Sequence, residues 1–234
     1  MKIVEKKDNN LVFIEKIEDS LANAIRRYVN QVPTLAVDEV EISKNDSPLY
    51  DEIVAHRVGL IPLKSNGDKT PNVTLSIAQE GMALAKGIKG ADVVYGDIPI
   101  TFLNKGEELE LKGTTKLGIG ADHSKFSPGI MFYRNVADII LDKSLKEDVE
   151  KVFPDVEIKE KGDKIIITDD GSKEIAGVCE GICKRNGKSI EIKFSDELVL
   201  TVESFGQMPS DEIFKDSIKV LKKDLQEIAK KLKK

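Results

Sequence analysis

The sequence predicts an α+β fold. Strand-like segments joined by glycine-bearing turns dominate the 234-residue chain from 73 to about 135. Capped helical segments stand near both ends, and a mixed segment at 143–194 carries strands and helices of its own. Hydrophobic residues make up 40% of the chain, enough for a substantial core, and charged residues make up 33%. The net charge of −5 argues against a free-standing nucleic-acid binder, which would show a basic face.

Residues 1–18 read as strands around a turn at Asp8-Asn9-Asn10. A helix follows, capped by Asp19 or Ser20, with Leu21, Ala24, Ile25 and Tyr28 on one face and Pro33 ending it. "TLAVDEVEI" alternates as a strand. Ser47-Pro48 reads as a helix start and Gly59 as its stop, giving a short helix over 48–58 that runs into an extended "LIPL". Residues 64–72 read as a polar loop, and "KLGIGADHSKFSPGI" is too rich in glycine and proline to be regular. In the segment 143–194, "SLKEDVEKVF" is a short helix and "VEIKEKGDKIIITDDG" two strands around a turn. Ser172 caps a further helix that Gly187 ends, and "SIEIKF" closes this βαβ-like segment. "ELVLTVES" is the next strand.

The last helix is capped by Ser210, with Asp211 and Glu212 in its first turn, where the helix dipole favours negative charge. Phe214, Ile218, Leu221, Leu225, Ile228 and Leu232 follow at spacings 4, 3, 4, 3, 4. That pattern fits an ordinary core-facing helix or a narrow seam for a partner chain.

No apolar run approaches the roughly 20 residues of a membrane span, and the N-terminus lacks a signal-peptide pattern. Two cysteines make no disulfide framework, so a reducing, cytoplasmic setting is expected. The glycosylation-like triplets at Asn45 and Asn72 are then chance matches.

Few motifs speak for catalysis. Gly118-Ile119-Gly120 lacks the third glycine and the following helix of a phosphate loop. The only histidines, His56 and His123, lie in no ligand or triad spacing and read as hydrogen-bonded structural groups. Asp51 and Glu52 are adjacent, so on a helix they diverge by about 100° and form no catalytic pair. With Arg57 they suit ion pairs to neighbouring helices or chains. Arg26 and Arg27 suit a solvated face or an interface. Cys179 and Cys183 share a helix face with Ile175, Val178 and Ile182 and read as small core residues. Two other classes compete: a hydrolase or transferase using His56 with Asp51 or Glu52, and a redox protein built on the two cysteines.

Four stretches carry a resemblance. "DSLANAIRRYVNQVPTLAVDEVEI", "SPLYDEIVAHRVGLIPL", "GIGADHSKFSPG" and "VESFGQMPSDEIFKDSIKVL" together resemble the alpha-like, D-type subunits of archaeal DNA-directed RNA polymerase. That family is the counterpart of the bacterial alpha subunit's N-terminal domain and of the third-largest subunit of eukaryotic RNA polymerase II. The resemblance spans nearly the whole chain, in order.

It implies an alpha-subunit-like dimerisation domain, residues 1–42 with 195–234, and an inserted mixed α/β domain, 43–194. Within the insertion, 143–194 would be a degenerate ferredoxin-like subdomain. Pairing with subunit L would use Leu21, Ile25, Tyr28, Phe214, Ile218, Leu221, Leu225, Ile228 and Leu232. Arg26, Arg27, Asp51, Glu52, His56 and Arg57 would dock the large subunits. Subunits N and P would join the platform. The chain would belong to a nucleotidyltransferase complex while supplying no catalytic residue, and would meet nucleic acid only through the holoenzyme. Many relatives bind an iron–sulfur cluster in the insertion. Here C-x₃-C matches no register of C-x₂-C-x₂-C, so Cys179 and Cys183 are expected to be structural, with no cofactor or metal.

Overall fold

The computed structural model describes residues 1–65, 67, 69–171 and 173–232. In chain order they form β1 (Lys2–Lys7), β2 (Asn10–Glu15), α1 (Asp19–Tyr28), β3 (Thr34–Asn45), α2 (Asp51–Gly59), β4 (Asn72–Ile77), β5 (Gly81–Leu84), β6 (Pro99–Leu103) and β7 (Leu109–Gly118). Then come β8 (Gly129–Asp142), α3 (Lys146–Val152), β9 (Ile158–Lys161), β10 (Lys164–Asp169), α4 (Ala176–Arg185), β11 (Glu191–Ser204) and α5 (Ser210–Leu232). Helices and largely antiparallel sheets are mixed, as an α+β fold requires. Among the described residues no helix is long and apolar enough to cross a membrane.

The chain divides into two compact units: residues 1–22 with 131–201, and residues 23–130 with 202–234. These cuts differ from the boundaries at 42 and 195 read from the sequence. Two of the three cuts fall inside β8 and β11, each of 14 residues, and the third falls inside α1.

The first unit is built on a sheet of order β1-β2-β11-β8-β10-β9. Strand β10 pairs antiparallel with both β8 and β9. Strand β8 separates β10 from β11, so α4 makes a split crossover. Alternation in β10 sends Ile165 and Ile167 inward, where they pack with Ile139, Leu141, Val149, Cys179 and Cys183. Helix α4 closes at Gly187, whose amide donates to the Lys184 carbonyl while that of Lys188 donates to Cys183. The expected cap at Ser172 lies outside the described residues. "SIEIKF" and "ELVLTVES" are one strand, β11, because hydrogen bonding to neighbouring strands carries it through the polar Ser195-Asp196-Glu197.

The second unit centres on a three-stranded antiparallel sheet, β3-β7-β4, and the pair β5-β6. Leu109 and Leu111 of β7 face a core shared with Val54 and Val58 of α2 and with Ile61 and Leu63 of the segment after it. Helix α2 starts at Asp51, not at Ser47-Pro48. The Ser47 hydroxyl donates to Asn45 Oδ1 (2.7 Å), and Asn45 Nδ2 binds the Leu49 carbonyl (2.8 Å), which organises a turn ahead of the helix. Tyr50 is extended at φ −65°, ψ 153°, and Gly59 is the last helical residue, with Leu60 as the cap.

Asp19 and Ser210, predicted as caps, are themselves the first residues of helices α1 and α5. The Glu18 carbonyl accepts from the Leu21 and Ala22 amides, and the Pro209 carbonyl from those of Glu212 and Ile213. After α1, a 3₁₀ turn, Val29–Gln31, leads to β3.

Candidate subunit-pairing surface

Helix α5 carries two apolar stripes offset by one residue. Ser210, Ile213, Ser217 and Leu221 are buried within the chain. Ile218, Leu225, Ile228 and Leu232 of the predicted seam are exposed, Leu225 by 56% and Leu232 by 82%. Phe214 is half-buried, and Leu221 belongs to both stripes. From Leu225 to Leu232 every residue is exposed, about 12 Å of helix at 1.5 Å per residue. A shallow apolar depression lies along it, lined by Ile218, Leu221, Lys222, Leu225, Gln226 and Ala229. Leaving such a stripe in water forgoes about 1.5 kcal/mol or more per large aliphatic side chain.

Helix α1 likewise has two stripes. Ala22, Ile25 and Val29 point inward, whereas Leu21 is 48% exposed. Ile25, expected on the pairing face, is only 5% exposed and lies inside the chain's own packing. Tyr28 is half-buried, and its hydroxyl donates to Asp224 Oδ2 of α5 at 3.0 Å. That bond, with burial second, raises the Tyr28 pKa. Sequence reasoning missed the inner stripe of α5 and the Tyr28–Asp224 bond. The i, i+4 pair Ile213 and Ser217, one residue out of phase with the seam, was the available signal for the stripe.

The other expected site residues divide. Arg26 folds back onto Asn23 Oδ1 (2.9 Å from Nη2), and Arg27 is exposed. Asp51 and Glu52 are exposed in the first turn of α2, with Asp51 Oδ1 accepting from Asn45 Nδ2 at 2.7 Å. Arg57 makes none of the expected ion pairs among the described residues; its Nη1 donates to the Ile100 carbonyl at 2.8 Å. His56, which the sequence suggested is a hydrogen-bonded group, is exposed on the same helix. His123 is hydrogen-bonded: its Nδ1 accepts from the Lys125 amide at 3.1 Å and caps a short turn.

Cys179 and Cys183 are free and buried in the first unit's core, with Ile175 and Ile182 beside them. Val178, expected on that face, is 42% exposed. Burial pushes the Cys179 thiol up to about 11, and raises that of Cys183. A cluster needs thiolates, usually four; two thiols whose surroundings disfavour ionisation do not fit one. In the native protein at pH 8, Ellman's reagent should therefore titrate neither thiol within minutes, and both after unfolding. Fast reaction of either one in the native state would contradict this packing. Because folding raises the Cys179 pKa, its contribution to stability is complete below the ordinary thiol range and is lost as pH rises toward about 11.

A fold that leaves Ile218, Leu225, Ile228 and Leu232 exposed along one helix face has the surface of a subunit-pairing protein. The family model for the RNA polymerase Rpb3/Rpb11 dimerisation domain matches residues 12–225. The chain is similar to DNA-directed RNA polymerase subunit Rpo3 of Pyrococcus horikoshii, at 33% identity covering 94% of this chain and 93% of that protein. It is also similar to subunit Rpo3 of Pyrococcus furiosus, at 32% identity covering 100% and 97%, and of Thermococcus kodakarensis, at 33% covering 94% and 92%. The chain belongs to the family of alpha-like RNA polymerase subunits that carry this dimerisation domain, the family of the archaeal Rpo3 proteins.

Proposed function

We propose that the chain is an assembly subunit of an archaeal DNA-dependent RNA polymerase that pairs with subunit L. The heterodimer, joined by subunits N and P, is the platform on which the large catalytic subunits assemble. Pairing draws on residues 1–42 with 195–234, while 43–194 forms the inserted part. Arg26, Arg27, Asp51, Glu52, His56 and Arg57 supply charged surface for the large subunits. The chain contributes no catalytic group and no cofactor, works in the cytoplasm, and meets nucleic acid through the assembled enzyme.

The exposed apolar end of α5 carries this reading. Its side chains from Leu225 to Leu232 are in water without a partner helix, and a second amphipathic helix would bury them. Co-expression with subunit L should give a 1:1 complex on size exclusion, with amides of residues 218–232 newly protected from hydrogen exchange. Failure to co-purify, with both chains folded, would refute the pairing.

A further inference from the structure

We propose that a hydrogen-bond relay, Asn30–Ser127–Gln207, is the positioning device that holds α5 at the angle subunit pairing requires; this rests on the pairing role assigned above to α5. The Ser127 hydroxyl donates to Asn30 Oδ1 at 2.9 Å, just after α1. The Asn30 carbonyl in turn accepts from the Ala121 amide at 3.0 Å. On its other side, the Ser127 carbonyl accepts from Gln207 Nε2 at 3.2 Å, two residues before Pro209 starts α5. Gln207 is 5% exposed, and its own carbonyl accepts from the Ser65 amide at 2.9 Å.

The surroundings leave the relay little freedom. A Cβ at Gly120 would stand 2.9 Å from Asn30 Oδ1 and 3.1 Å from Ser127 Cα, so glycine is what lets the loop close on Asn30. Gly206, at φ +99°, turns the chain into Gln207, and a Cβ there would stand 2.4 Å from Val94 Cγ1. Ser204 Oγ ties the same turn, donating to the Met208 carbonyl and accepting from the Gly206 amide at 2.8 Å.

Geometry gives the relay leverage. Tyr28 grips α5 directly at Asp224, and Asn30, two residues on, grips its start through Ser127 and Gln207. Two fixed points define a helix axis. From Pro209 to Leu225 is about 24 Å at 1.5 Å per residue. With Asp224 held by Tyr28, a tilt of about 10° would swing the start of α5 by about 4 Å, a full contact distance, and Leu232 by about 2 Å the other way. Neither Ser127 nor Gln207 lies on the seam, so their effect on pairing would act through the direction of α5.

The test uses the full chain with subunit L. Nitroxides at Arg27→Cys and Glu227→Cys, both exposed positions, report the distance between the end of α1 and α5, while the buried native thiols stay unlabelled. Gln207→Met keeps the volume and removes the donor; Ser127→Ala removes the hydroxyl; Ser127→Thr restores it. The expected result is a broadened distance distribution and pairing about tenfold weaker in Gln207→Met and Ser127→Ala, the scale of one lost hydrogen bond, with recovery in Ser127→Thr. A lowered melting temperature with unchanged distances and unchanged affinity would overturn the proposal, leaving the relay a stabilising contact only. Pairing that survives Leu225→Asp overturns the pairing reading and this proposal with it. Pairing lost in Leu225→Asp but untouched in Gln207→Met overturns this proposal alone.

Discussion

Replacing Leu225 with aspartate should abolish pairing with subunit L while leaving the chain folded. Leu225 is 56% exposed in the free chain, so the substitution costs its own fold within about 0.5 kcal/mol. In the proposed complex the same side chain would sit in mid-seam, three residues before Ile228 and four after Leu221. A carboxylate there would be desolvated without a partner, at a cost of about 3 kcal/mol or more, which is over 100-fold in Kd. Ile218→Asp should behave alike. Lys223→Asp, away from the seam, should pair within about twofold of the native chain. Isothermal titration or co-purification reads the affinity, and circular dichroism reads the fold. If Leu225→Asp binds within tenfold of the native chain, the seam is not the interface.

Asp169→Ala should cost the first unit about 3 kcal/mol, within the range for breaking a buried ion pair. Asp169 is 2% exposed, and its Oδ1 lies 2.8 Å from Arg134 Nη2. Its Oδ2 accepts from the Ile175 and Ala176 amides at 3.2 and 3.4 Å, serving the amide-rich start of α4 as an N-cap would. Arg134 also donates to the carbonyls of Asp169 and Gly171, at 3.1 and 2.9 Å, so one guanidinium organises the segment leading into α4. Removing the carboxylate strands the guanidinium and uncaps the helix together. Asp169→Asn keeps the acceptor and should lose about half as much. Denaturant unfolding at pH 7 measures both; a loss below about 1 kcal/mol for Asp169→Ala would show that the pair contributes little.

Local periodicity made much of this fold legible. The 4, 3, 4, 3, 4 spacing of α5 and the strand pattern of "TLAVDEVEI" depend on neighbours within a few residues, and a helix and a strand, β3, form there. What stayed hidden depends on distant partners or on close local competitors. Tyr28 and Asp224 are 196 residues apart, and Arg134 reaches Asp169 over 35; no spacing rule announces either. Ser47 looked like a cap because nothing in its type shows that Asn45 claims its hydroxyl first. Helix α1 offers two apolar stripes, and only tertiary packing decides that Ile25 turns inward while Leu21 stays in water. The candidate surface was therefore legible as a stripe, while the share of it already used by the chain's own core was not.

The bare end of α5 also bears on how long an unpaired copy survives. Beyond Asp224, which Tyr28 holds, the described helix is exposed for about two turns, and so short a helical stretch is marginal in water. Lys230 and Lys231 lie in it, on exposed helix of the kind that opens most readily. In an orphan copy this stretch should be cut sooner by trypsin than in a copy paired with subunit L, where it would be covered. Turnover would then fall on unpaired copies.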